Sequence, residues 1–267
     1  MTREETIFET EGGIALLTLN RPDTRNALTG ERMLDEIMSA IREAESDPDV
    51  AVLIVTGAGS AFSAGGNVKD MQSRSGLFSG DPGTIAERYR STIQRLTATM
   101  AETDLVTIAA VNGAAVGAGF DLALGCDLRI GSTRASFAHT FSKLGILPGD
   151  GGAWLLPRVV GWQRASELSF TARTVDAEEA QALDILLDVV APDELMQRTR
   201  RLAEDIVSSP RRSIRLTKRL LRHARQMDLT AFLDMTAAYQ ALAHADPEHH
   251  LAVSAFLDDL KARRSQE

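Results

Sequence analysis

Cys126 is the only cysteine in a chain of 267 residues, so no intrachain disulfide can form and a thiolate-rich metal site is excluded. A reducing, cytoplasmic setting is the expectation. Basic side chains are also short: 29 against 37 acidic ones, a formal charge of -8 that repels phosphate backbones and argues against nucleic-acid binding. Any anionic ligand therefore needs a local basic site. Long apolar runs are missing too. The most apolar stretch, Leu105 to Leu124, is interrupted by Asn112, by glycines and by Asp121, so it reads as buried strand, turn and helix rather than as a membrane span. Met1 to Gly12 is charged and has no apolar core of the signal-peptide kind, so export is not expected. The five histidines, at 139, 223, 244, 249 and 250, include no pair four apart on one helix with a glutamate between them, and no metal is expected.

What remains is an ordinary globular composition, 44% apolar and 25% charged. Gly13 to Leu19 reads as a strand that stops at the turn formers Asn20-Arg21-Pro22-Asp23. From Thr29, a candidate N-cap, Met33, Leu34, Ile37, Met38 and Ile41 recur at helical spacing until Asp47-Pro48. The β-branched run Val50 to Val55 suits a strand buried on both faces and ends in a glycine loop. A second cycle follows: a helix around Ile85 to Met100, a strand at Val106 to Val111, the turn Asn112-Gly113 and a glycine-rich helix start. Strand-helix alternation of this kind implies a layered α/β body. Beyond Thr174 the pattern turns helical, over Asp176 to Leu183, Pro192 to Val207, Pro210 to Met227, Leu229 to Ala243 and Pro247 to Arg263. Residues 1–195 are expected to form the core and 196–267 a helical C-terminal region.

Two glycine segments carry the chemical interest. Ala61-Phe62-Ser63-Ala64-Gly65-Gly66-Asn67-Val68-Lys69 leaves a buried strand, and its glycines allow a backbone NH to approach a ligand closely. Asn112-Gly113-Ala114-Ala115-Val116-Gly117-Ala118-Gly119-Phe120-Asp121 also leaves a strand and opens a helix, whose first NH groups have no intrahelical partner. Taken singly, the first reads better as an ordinary glycine turn, and the second reads equally as close helix packing by small residues. Neither is a dinucleotide fingerprint, since Phe62 and Leu122 stand where a third glycine would be. Ala61-x-Ser63-x-Gly65 lacks the first glycine of a nucleophile elbow. On the helix after Pro210, Arg211, Arg215, Lys218, Arg222 and Arg225 form a basic stripe, read as a solvated face in preference to a phosphate site.

In order along the chain, these segments resemble the crotonase, or enoyl-CoA hydratase/isomerase, superfamily. The resemblance rests on Asn20-Arg21-Pro22 with Asn26-Ala27-Leu28, on the two glycine segments, and on Leu144-Gly145-Ile146-Leu147-Pro148 with Gly151-Gly152 and Leu156-Pro157-Arg158-Val159-Val160-Gly161. It implies a crotonase fold, with repeated strand-strand-helix turns and a C-terminal helical region that assembles trimers or dimers of trimers. It implies an acyl-CoA substrate, no separate cofactor, and an oxyanion hole formed by the NH groups of Gly66 and Ala118. Ala27, Ala64, Gly66, Asn67, Val68, Lys69 and Phe141 are the expected substrate-binding residues. Hydratases of the family use two carboxylates, at the positions of Asp121 and Phe141; the second is absent here. Asp150, in Pro148-Gly149-Asp150-Gly151-Gly152, is the other acid/base candidate, with a helix N-cap as its alternative role. The context Phe141-Ser142-Lys143-Leu144-Gly145 with Trp154-Leu155-Leu156-Pro157-Arg158 is most similar to ring-epoxide isomerases of phenylacetate degradation. The expected activity is isomerisation or hydration of an unsaturated acyl-CoA through a stabilised enolate. The alternatives are a carbon-carbon bond hydrolase of the same fold and a non-catalytic acyl-CoA-binding protein.

Overall fold

The computed structural model describes residues 3–264. The chain opens with a hairpin of β1 (Thr6–Glu11) and β2 (Ile14–Leu19), followed by helix α1 (Glu31–Ser46). The periodic residues Met33, Leu34, Ile37, Met38 and Ile41 are all buried, as their helical spacing requires. Thr29 is not the cap. Gly30 holds that position, and the Thr29 hydroxyl instead donates to Asp70 at 3.3 Å.

The core is a spiral in which each turn lays down one long strand, a short turn and one short strand. The first turn gives β3 (Val52–Gly57) and β4 (Ala61–Ser63), then α2 (Val68–Ser73), α3 (Pro82–Ser91) and α4 (Ile93–Glu102). The second gives β5 (Val106–Val111), β6 (Ala114–Val116) and α5 (Ala118–Gly125). The third gives β7 (Leu128–Ser132) and β8 (Ser136–Ala138), then α6 (Gly152–Val160) and α7 (Trp162–Thr171). Closing elements are β9 (Thr174–Asp176), α8 (Ala177–Ala182) and β10 (Asp188–Val190).

Long strands form one sheet in the order β1-β2-β3-β5-β7-β10, and short strands form a second in the order β4-β6-β8-β9. Within the large sheet β2, β3, β5, β7 and β10 run parallel. Val52, Leu53, Ile54 and Val55 are fully buried, because α1 covers one face while α9 (Leu195–Val207) covers the other. The expected division at residue 195 thus falls at the start of a helix whose Leu195 and Ala203 pack on the sheet.

One helix was expected over Ile85 to Met100; two are found. They meet at Thr92, with φ -119° and ψ -94°, whose hydroxyl donates back to the Arg88 carbonyl at 2.5 Å. The Thr92 NH donates to the same carbonyl and the Leu96 NH to the Thr92 carbonyl, so the backbone ladder spans the junction and the break lies in the Thr92 dihedrals. α3 also begins earlier, at Pro82, where Asp81 accepts from the NH groups of Gly83 and Thr84.

The chain continues through α10 (Arg211–His223), α11 (Leu229–His244) and α12 (Pro247–Arg264). The basic stripe on α10 is not the solvated face expected. Arg215 donates to the carbonyls of Glu45, Asp47 and Val50, at the end of α1 and the entry to β3. Lys218, 8% exposed, pairs with Asp127 and bonds the Leu105 carbonyl, while Arg219 and Arg222 pair with Asp104. Carbonyls at helix and strand ends lack partners of their own, and these cations supply them. Among the described residues, no helix is long and apolar enough to cross a membrane.

Candidate active site

The small sheet explains why the two glycine segments meet. β4 and β6 are parallel neighbours, with Ala61 opposite Ala114 and Ser63 opposite Ala115, so their C-terminal ends open side by side. Gly65 follows β4 with φ +72°, and a Cβ there would lie 2.2 Å from the Val116 carbonyl and 2.8 Å from the Ala118 nitrogen. Only a glycine fits against the second loop so closely. Gly117, at φ 52° and ψ -123°, then turns the chain into α5 and leaves Ala118 as its first residue. Among the described residues, neither the Gly66 NH nor the Ala118 NH donates to another group of the chain. Both residues line one cleft.

Asn26 holds the first loop in place. It is fully buried at φ 58°, and its amide donates to the carbonyls of Ala58, Ala61 and Phe62 while accepting from the Arg21 NH. Ser63 ties the same pieces together, its hydroxyl donating to the Asn26 carbonyl at 2.7 Å and accepting from the Gly65 NH at 3.1 Å. The Leu28 NH then bonds the Gly65 carbonyl. These bonds give the Asn20 to Leu28 motif a physical purpose: it is the clamp on the loop that presents Gly66.

The cleft spans about 580 Å³, a volume that includes the solvent at its open side. Leu28, Met71, Leu77, Phe78, Tyr89, Ile93, Phe141, Leu144 and Ile146 make its wall predominantly apolar, with Asp150 the sole carboxyl among them. Of the residues expected to bind substrate, Ala64, Gly66, Val68 and Phe141 line it; Ala27, Asn67 and Lys69 do not. Asn67 instead caps α2, accepting from the Lys69 NH at 3.1 Å, and Ala27 lies beside the lining residue Leu28.

The two acid/base candidates differ sharply. Asp150 does not cap α6, because Gly151 occupies that position and no side chain bonds there. Its turn is pinned through the backbone: Gln94 donates to the Gly149 carbonyl at 2.8 Å and Thr97 to the Asp150 carbonyl at 2.5 Å. The Asp150 carboxyl itself makes no hydrogen bond among the described residues and faces the cleft. Burial, reinforced by the neighbouring charge of Asp121, pushes it up to about 7.

Asp121 lies behind the cleft, not in its wall. It shares a smaller chamber with Asp150, Ala118 and Thr97. One of its oxygens accepts from the Gly152 NH at 3.0 Å, and the other faces Nε2 of His139 at 3.4 Å. Burial pushes its pKa above the usual carboxylate range, against the pull of His139 and the Gly152 NH. His139 escaped the sequence reasoning because only its placement after β8 brings it to α5. Phe78 was missed because nothing in the pattern of residues 72–83 shows that this stretch lines the cleft, and Tyr89 because the face of α3 turned to the cleft is set by distant packing. Among the described residues no group of three or more side chains could hold a metal ion.

Two backbone NH groups without partners among the described residues and one unbonded carboxyl line the same cleft, and groups of these kinds can hold an oxyanion and carry a proton. The chain belongs to the enoyl-CoA hydratase/isomerase family, whose profile matches residues 9–266, and it has the crotonase fold. It is 35% identical over 263 residues, 98% of either chain, to the crotonyl-CoA hydratase of Syntrophomonas wolfei. Over 247 residues it is also 35% identical to the 1,2-epoxyphenylacetyl-CoA isomerase of Escherichia coli, covering 92% of this chain and 93% of that one. The crystal structure of an enoyl-CoA hydratase from Bacillus anthracis superposes with a TM-score of 0.89 at 28% identity, over 96% of this chain and 97% of that one. The chain is accordingly an enzyme of the hydratase/isomerase family.

Proposed function

We propose that the protein isomerises the double bond of an enoyl-CoA thioester, with Asp150 as the single proton carrier. The observation that carries this reading is the lone carboxyl in the cleft wall. The Asp150 carboxylate would take a proton from the α-carbon of a 3-enoyl thioester. The electrons move onto the thioester oxygen, held by the NH groups of Gly66 and Ala118, and the same proton returns at the γ-carbon to give the 2-enoyl isomer. The enzyme ends as it began. A base with a pKa near the working pH suits both halves of that transfer.

Phe141 stands where a second carboxyl would activate water, and its apolar ring makes paired-acid hydration the weaker activity. Asp121, first expected as a second acid, is assigned a supporting role because its carboxylate is taken up by Gly152 and His139. The substrate's coenzyme A would run past Gly66 and the exposed Val68, with Ala27, Asn67 and Lys69 flanking that rim. No further cofactor is needed for such a transfer. For assembly we propose a trimer or a dimer of trimers, formed by the C-terminal helices: Leu229, Leu233, Leu251 and Phe256 on α11 and α12 are each more than half exposed.

Wild type and Asp150→Asn should be compared on matched 3-enoyl-CoA and 2-enoyl-CoA substrates, following isomerisation and hydration separately. Isomerisation should dominate and fall about 10²- to 10⁴-fold in the variant, with substrate binding retained. Full activity without the Asp150 carboxylate, or hydration as the faster reaction, would overturn the assignment.

A further inference from the structure

Behind the cleft a series of polar contacts runs through the interior to the first NH of α6, two residues beyond Asp150. Nδ1 of His139 lies 2.9 Å from the Ser169 hydroxyl on α7, and its Nε2 lies 3.4 Å from Asp121 on α5. Asp121 in turn accepts from the Gly152 NH, two residues beyond Asp150. His139 is 1% exposed and Asp121 3%, so neither meets water. The rings of Phe120 and Phe141 close around the imidazole, with centroids 6.3 Å and 4.9 Å away. Burying an ionisable pair this deeply is costly unless its geometry has a use.

We propose that Ser169, His139 and Asp121 form a positioning relay, which fixes the turn bearing Asp150 and places a negative charge directly behind it. The inference rests on Asp150 being the proton carrier. A carboxylate facing an imidazole lone pair would be repelled, so the proton belongs on Nε2, donated toward Asp121. Nδ1 then accepts from the Ser169 hydroxyl, which sets the tautomer. The other oxygen of Asp121 holds the first NH of α6, where an anion is favoured by the unpaired helix donors. Gln94 and Thr97 grip the same turn from α4 through its carbonyls. The titratable groups facing Asp150 are Tyr89 from α3 and Asp121 from α5; those facing Asp121 are His139 and Asp150. Burial is the larger cause that raises Asp150, and the ionised form of Asp121 adds to it.

Asp121→Asn keeps an acceptor for the Gly152 NH and removes the charge. The acid limb of kcat/KM should then move down by at least one pH unit, and the carbon-13 signal of the Asp150 carboxyl should titrate lower by the same amount. Asp121→Ala, which also removes the acceptor, should lower kcat at least tenfold with KM within about threefold of wild type, because the turn and not the binding cleft is released. An Asp150 carboxyl that titrates at the wild-type pH in Asp121→Asn would overturn the proposal. If neither variant folds, the nitrogen-15 spectrum of wild-type His139 decides: a proton on Nε2 supports the relay, and a neutral ring protonated at Nδ1 overturns it. Because the carbon-13 titration reads Asp150 without turnover, a kinetic limb that departs from it would count against Asp150 as the proton carrier and leave the relay standing.

Discussion

A buried carboxyl held near pH 7 should be a measurable burden on the fold. Asp150 is 5% exposed, makes no compensating hydrogen bond, and is pushed up to about 7 from an ordinary value of 3.8. A carboxyl raised on folding binds its proton more tightly in the native state, so the folded protein loses stability as pH rises between the unfolded and folded values. Three units at about 1.4 kcal/mol each give a cost of roughly 4 kcal/mol above pH 7, of which only about 1.5 kcal/mol is felt at pH 5. Asp150→Asn cannot ionise and escapes this cost. Urea unfolding of wild type and variant at pH 5 and pH 8, at one fixed subunit concentration, isolates the effect. The variant should be the more stable protein at pH 8, and its advantage should be about 2–3 kcal/mol larger there than at pH 5. An advantage of equal size at both pH values, or a variant less stable at pH 8, would refute the environment described for this group.

Three further outcomes test other parts of the structure. Gly65→Ala should lower kcat/KM toward an enoyl-CoA by about 10²-fold or more, since the new Cβ meets the Val116 carbonyl at 2.2 Å and separates the two NH donors; near-normal kinetics would show the loops are not so tightly apposed. Asn26→Ala should cost about 2–4 kcal/mol in chemical unfolding, because three carbonyls lose a buried donor together. Asp104 is pushed up by burial yet held below the usual carboxylate range by Arg219 and Arg222, so its contribution is present above about pH 4 and lost as pH falls through its folded value. Asp104→Asn should therefore flatten the acid side of the urea midpoint's pH dependence, and an unchanged slope would remove α10's ion pairs as the cause.

The strands and helices that pack by pattern were readable in advance. Val50 to Val55 is uniformly apolar because both faces are covered, and α1 spaces its apolar residues at the period of a helix. Residues whose role depends on distant partners were not. Thr92 divides a helix through backbone dihedrals that periodicity does not register, and the arginines of α10 look like a solvated face until the carbonyls of Glu45, Asp47 and Val50 are brought beneath them. At the site, Gly66 and Ala118 were legible as backbone positions because glycines mark them. The surroundings of Asp121 were not legible: a carboxyl in the first turn of a helix says nothing of the Gly152 NH that meets it from another helix.

The adjacency of β4 and β6 has a consequence for how such an enzyme can change. On the proposed function, the groups that would hold the oxygen are peptide NH donors, delivered by strand pairing and by what Gly65 leaves empty, so substituting the side chains around the cleft need not disturb them. The positions that could carry a proton-moving side chain lie in separate places: the first turn of α5, the segment after β8 and, on the proposed function, the turn before α6 that bears Asp150. Activation and proton handling are thus inherited independently. A lineage can lose a carboxyl at position 141, or withdraw one at position 121 into the interior, and still retain a scaffold on which a single new acid at position 150 has an oxyanion to work with.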